Sequence, residues 1–221
     1  MAPRAAEPAV PRWQRRPDDR PDTLMASALK LVKQHGYRRV RLEDIAADAG
    51  VSKATVYHYF DNKDDLITRA LSERVAERQA EAEAMLARSG PSATQRLRVF
   101  LRHFWDVQLS PHAGAWQQLL VSEIVTDAPP VFRAWAKGLV NRWGVVERLI
   151  HDGQAAREFN PDVDAAVAAR MILSGLSHQA LFHEHLGVKR LAPCDLDRLF
   201  ESALAQFFAA LAVGSHIVPP R

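Results

Sequence analysis

Lys53, Thr55, Tyr57, His58 and Lys63 crowd into one short stretch of the chain. Between them they offer two ammonium groups, a hydroxyl, a phenol and an imidazole. Donors and flat rings of this kind suit phosphate oxygens and the edges of nucleobases. Val56 and Phe60 are interleaved with them, four residues apart. Their spacing puts both on one helical face, which must turn to a core and leave the polar set outward.

The preceding segment is what would hold that helix in place. Leu42, Ile45 and Ala46 repeat at helical i, i+3, i+4 spacing, and Gly50 follows. Glycine takes the left-handed conformation that ends a helix without strain. Ser52 can then cap the next helix through its hydroxyl. Two short helices joined by a tight glycine turn read as a helix-turn-helix, whose second helix enters a DNA groove. Asn62 predicts the cap of a further helix, which places Lys63 in its first turn. A cation there is opposed by the helix dipole by about 0.3–1 kcal/mol, whereas Asp64 and Asp65 suit it. A nearby phosphate would account for the lysine.

The run Ala-Gly-Val-Ser-Lys-Ala-Thr-Val-Tyr-His-Tyr-Phe-Asp-Asn-Lys-Asp-Asp-Leu, residues 49–66, closely resembles the DNA-binding signature of the TetR (tetracycline repressor) family of bacterial regulators. The resemblance covers residues 22–75 through a strong motif and the remainder only through helical layout and length. It implies an all-helical homodimer. An N-terminal domain would bind a palindromic double-stranded operator, and a larger C-terminal domain would dimerise and bind a small effector. It also implies that Lys53, Tyr57 and His58 supply much of the base contact. Thr55, Lys63, Arg41, Ser52 and Tyr59 would position the helix on phosphates. Arg41 departs from the pattern, because Thr or Ser is usual just before the first helix of the motif. Arginine can meet a phosphate but cannot cap in the same way. Arg38 and Arg39 extend that basic rim.

Composition agrees with this division. The chain has 221 residues, 48% hydrophobic, and a formal net charge of +3. Residues 1–60 hold 11 Lys+Arg against 7 Asp+Glu, whereas the remainder holds 18 against 19. The basic excess therefore lies with the DNA motif. Cys194 is the single cysteine, so no intrachain disulfide can form, which permits a reducing, cytoplasmic setting. No apolar run approaches the ~20 residues needed to span a bilayer, and no secretory h-region opens the chain.

Taken in order, residues 1–21 are rich in proline and arginine and read as a disordered basic arm. It either tracks phosphates or is a leader without a role. Residues 22–68 form the three-helix DNA-binding domain. Residues 69–213 form the effector-binding and dimerisation domain, and 214–221 a loose tail. The fold class is all-α, with about nine helices. The first helix spans Asp22 to His35 and stops at Gly36. The fourth begins after Asn62 and runs to about Arg88, longer than the DNA domain needs, which makes it the mechanical link. Aromatic stripes then recur at helical spacing: Phe100, Phe104 and Trp105; Trp116, Leu119 and Leu120; Phe132, Trp135 and Trp143. The last two helices span Asp162 to about Leu186 and Asp195 to about Val213. The final helix is apolar round much of its circumference, so a partner subunit is expected to cover it, through Leu176, Leu204 and Phe208.

An effector cavity is expected behind the fourth helix, lined by Phe104, Trp105, Gln108, Trp116, Leu120, Trp135, Trp143, Met171, His178 and Phe182. Such a wall favours an apolar or aromatic ligand oriented by Gln108, Glu123 or His178. The bland alternative is an ordinary packed core. His178, His183, Glu184 and His185 could tempt a metal assignment. However, His183 and His185 lie two apart, on different sides of a helix. No phosphate-binding glycine loop, nucleophile elbow or paired-cysteine zinc pattern is present, so neither cofactor nor enzyme is expected. An architectural DNA-binding protein without effector is the competing reading, and a helical enzyme a more distant one.

Overall fold

The computed structural model describes residues 20–214, apart from the side chain of His112. The arm expected over residues 1–21 and the tail beyond Gly214 therefore lie almost wholly outside the described residues. Of the arm, only Arg20 and Pro21 are seen, and they open the first helix. Proline is tolerated there because the first-turn N–H groups lack helical partners anyway.

Helix α1 (Arg20–His35), α2 (Leu42–Asp48), α3 (Lys53–Tyr59) and α4 (Lys63–Ala87) come first. They are followed by α5 (Ala93–Leu109) and α6 (Pro111–Leu119). A π-helical turn over Leu120–Ile124 leads from α6 into the short α7 (Val125–Asp127). Then come α8 (Pro129–Ala155), α9 (Ala165–Gln179), a second π turn (Ala180–His185) and α10 (Leu196–Leu211). Counting α6, its π turn and α7 as one rod gives nine rods among the described residues, with no strand. Side chains set most boundaries. Ser52, Asn62, Ser92, Ser110, Asp164 and Asp195 each accept a hydrogen bond from a first-turn backbone N–H.

The apolar residues condense into two cores. The first joins α1–α3 and the start of α4 to Trp116, Leu119, Leu120, Ile124, Val131 and Ala134. The second joins the end of α4 to α5, the C-terminal half of α8, α9 and α10. Trp105 and Phe200 stack within it at 5.7 Å between ring centres. Helices α4 and α8 pass through both cores and pack along each other. The division expected at residue 68 is thus crossed by packing: α6, the π turn and the start of α8 bury their apolar residues against α1–α3 and the start of α4.

Candidate nucleic-acid interface

Within the first core, Ile45 and Val56 are fully buried and hold α2 against α3. Gly50, at φ +68°, makes the turn between them. The Ser52 hydroxyl accepts from Thr55 N–H at 3.1 Å and lies 2.9 Å from the Thr55 hydroxyl. Lys53, Tyr57 and His58 project into solvent, with Tyr57 51% exposed. Thr55 and Tyr59 are half-buried, and the rings of His58 and Tyr59 meet edge to face at 4.9 Å. Lys53 pairs with Glu43 of α2 and lies 5.7 Å from the centre of the Tyr57 ring. A phosphate or base contact by Lys53 must therefore displace or share that carboxylate. Arg41 sits in extended backbone at the N-cap of α2 and gives no side-chain cap. Its backbone N–H donates to Asp44 Oδ2 at 2.8 Å, which is the reciprocal half of a capping box and serves a different N–H from the one a hydroxyl would have capped.

Lys63 is used differently from what the dipole argument suggests. Its Nζ donates to the carbonyls of Tyr37 at 2.7 Å and Val40 at 3.1 Å, and it lies 4.0 Å from the centre of the Tyr37 ring. These carbonyls, in the turn between α1 and α2, explain a cation in the first turn of α4 without a phosphate. Burial lowers the lysine's pKa. Tyr37 donates its hydroxyl to Asp64, and burial followed by that carboxylate raises the phenol's pKa. Sequence reasoning missed this clasp because it joins residues 26 and 27 apart with no shared motif.

The same turn is held from the opposite side. Glu123, in the first π turn, accepts from the Arg38 backbone N–H at 2.9 Å, and Asp127 pairs with the Arg38 guanidinium. Gly36, at φ +87°, makes the approach possible, because a Cβ there would lie 2.8 Å from a Glu123 oxygen. Glu123 was expected to orient an effector, but it is committed to this contact with the α1–α2 turn.

Residues 24–70 match the family model described as bacterial regulatory proteins, tetR family. This N-terminal segment belongs to the TetR family. It is 24% identical over 197 residues to the HTH-type transcriptional regulator EthR of Mycolicibacterium smegmatis, covering 83% of this chain and 87% of the relative. It is 37% identical over 94 residues to BetI of Agrobacterium fabrum, covering 42% and 46%. Among solved structures, Escherichia coli NemR in its reduced form superposes with a TM-score of 0.72 at 17% identity, over 89% of this chain and all of that one. Bacillus subtilis FadR in complex with stearoyl-CoA gives 0.67 at 19% identity, over 86% and 98%. At such identities the two structures speak for the shared fold.

Beyond this TetR-family segment the residues expected to wall one effector cavity are dispersed. Phe104, Trp105 and Trp143 belong to the second core. Trp116, Leu120 and Trp135 belong to the first, with Trp135 stacked on Phe132 at 5.9 Å. Gln108 is buried and donates to the Ser177 hydroxyl at 2.9 Å. Met171 and Phe182 are 71% and 43% exposed, and His178, also exposed, stacks on Phe182 at 4.4 Å. The last three lie on the outer face of the protein because the opposite face of α9 already fills the second core. Two of the three residues expected at the dimer interface are corrected in the reverse sense. Leu176 and Leu204, 2% and 1% exposed, are buried within the protomer, and half-buried Phe208 packs on Phe159 and under Arg98. A cleft of about 580 Å³ opens elsewhere, between α1 and α4, lined by residues including Met25, Leu29, Glu73 and Glu77.

The histidines at the second π turn are also engaged. His183 Nε2 lies 3.1 Å from the Ala192 carbonyl, and His185 Nε2 2.8 Å from that of Gln108. Among the described residues no cluster suited to a metal ion forms, and no helix is long and apolar enough to cross a membrane.

Proposed function

We propose that this chain is a transcriptional regulator that binds an inverted-repeat operator as a homodimer and releases it when a small effector enters the C-terminal domain. The observation that carries the reading is the face of α3. Val56 and Phe60 anchor it, and Lys53, Tyr57 and His58 share one exposed surface, with Lys53 held by Glu43. Those three would read base edges. Ser52, Thr55, Tyr59, Arg41 and the remaining N–H of Lys63 would position the helix on phosphates. Repression is the outcome expected from blocking a promoter.

The dimer is supported by α9. Val167 and Met171, four apart on its outer face, and Phe182 in the π turn that follows are exposed apolar side chains. A second copy would cover them, and two α3 helices would then meet successive major grooves, ~34–36 Å apart. That FadR, which shares this fold, was solved in complex with stearoyl-CoA supports a small-molecule effector here. An effector site against the second core, behind α4, agrees with that. The effector acts by preferring a conformation in which the two α3 helices no longer match the operator.

Selection of bound duplexes from a random pool tests the reading. Enrichment of an inverted repeat is expected. Tyr57→Ala should then cost about 1–3 kcal/mol on the enriched site and little on unrelated DNA. Salt-sensitive binding without enrichment would instead support the architectural reading.

A further inference from the structure

Helices α4 and α8 cross from one core to the other, and between the cores they carry few apolar contacts. On α4, the residues from Ser72 to Glu81 are exposed except for half-buried Val75. On α8, Gly138 faces Val75, and Arg142 follows one turn later. Arg142 reaches inward between α4, α5 and α8. Its guanidinium lies 6.0 Å from the centre of the Phe104 ring, and its Nε is closed off from solvent without a hydrogen-bond partner. The charged neighbour that acts on it is another cation, Arg78. Among the described residues no carboxylate pairs with it. Burial, then Arg78, pulls its pKa down to about 10, so it remains charged at neutral pH.

Arg142 is half-buried, and a guanidinium N–H taken out of water without an acceptor is costly, a cost that a ring face compensates only in part. Such a group is stabilised by an anion, and a planar fork of donors fits a carboxylate, sulfonate or phosphate. The exposed side chain of Arg78 beside it leaves the site open to solvent on the α4 side. The apolar second core, with Phe104, lies on the other.

We propose that the effector is an amphipathic organic anion whose charged head pairs with Arg142 between the two cores and whose apolar part enters the second core beside Phe104. The proposal rests on the reading of the C-terminal domain as an effector domain. It also places the ligand on the two helices that connect that domain to the DNA reader. An anion there draws α4 and α8 toward its charge, which gives the ligand different affinities for two arrangements of these helices.

The test uses the full-length protein, the neutral fluorescent probe N-phenylnaphthylamine, and decanoate or decanol as competitors of equal chain length. Decanoate is expected to displace the probe at about tenfold lower concentration than decanol. Arg142→Met should erase that preference while leaving decanol unchanged. Arg142→Gln, which keeps a polar head of similar reach, should erase it too and serves if the methionine variant does not fold. Decanoate should also release the selected operator. Equal competition by decanol in the wild type, or a preference that survives in either variant, overturns the proposal while leaving the effector domain standing. Failure of the protein to bind the probe and both competitors overturns the effector reading itself.

Discussion

At the scale of single residues, Lys63 and Glu158 show how one side chain can serve several backbone groups. Lys63 satisfies two carbonyls of the α1–α2 turn. Removing the ammonium leaves buried acceptors unpaired, at about 1–3 kcal/mol. Lys63→Met is therefore expected to lower the urea midpoint of the DNA domain. If its third N–H meets a phosphate, the salt slope of DNA binding should fall by about 1 as well. Glu158 binds the N-terminus of α5. It accepts from Thr94 N–H at 2.9 Å, the Ser92 hydroxyl at 2.7 Å, Ala93 N–H at 3.0 Å and the Thr94 hydroxyl at 2.8 Å. These bonds, led by the Thr94 N–H, draw its pKa from the ordinary 4.5 down to about 2. A carboxylate whose folded pKa is depressed stabilises fully above its unfolded pKa and loses that contribution as pH falls through the folded value. Thermal melts of wild type and Glu158→Gln should thus differ most above pH 4.5 and converge as pH falls toward 2.

At the scale of elements, the α1–α2 turn is gripped by the first turn of α4 on one side and by the π turn and α7 on the other. The π turn lies between two α-helical segments and brings Glu123 onto Arg38 N–H. π turns recur at functional positions because the extra residue re-aims a side chain. Gly36→Ala attacks this grip twice, through a left-handed φ and through overlap with Glu123. It should cost about 1 kcal/mol or more, measured by urea unfolding followed through tryptophan fluorescence. Operator affinity should fall with it, because α2 and α3 are oriented by that turn. A variant that unfolds and binds like the wild type would show that the grip has no bearing on the DNA reader.

At the scale of the whole molecule, the two cores and the outer face of α9 divide the apolar residues into those the protomer uses and those left over. Met171→Glu and Phe182→Glu alter exposed positions, so the protomer should keep its helical content. The outer face they interrupt should no longer associate. Light scattering at micromolar concentration is expected to report monomers, and operator affinity should collapse because one half-site remains. Leu204→Asp instead places a charge in the second core and should unfold the protomer rather than merely separate dimers. If the two exposed-position variants remain dimeric, the interface lies elsewhere.

The sequence by itself determined the helical layout, the caps at Ser52 and Asn62 and the polar face of α3. These depend on spacing, on capping residues and on glycine, all read within a few residues. The fourth helix, read as Asn62 to about Arg88, is found as Lys63–Ala87 with Asn62 capping it. The motif at residues 49–66 was equally local, and it carried the family with it. Which of several apolar faces meets which was decided only by tertiary structure. Leu176 and Met171 share one helix and similar hydrophobicity, yet one is buried and the other exposed. Trp116 and Trp105 occur in neighbouring segments, yet they enter different cores. Periodicity fixes that a face is apolar, but hydrophobic attraction has no direction and does not name its partner. The clasp of Lys63 on Tyr37 and the isolation of Arg142 have the same origin. Each depends on contacts between distant segments that exist only once the helices have packed.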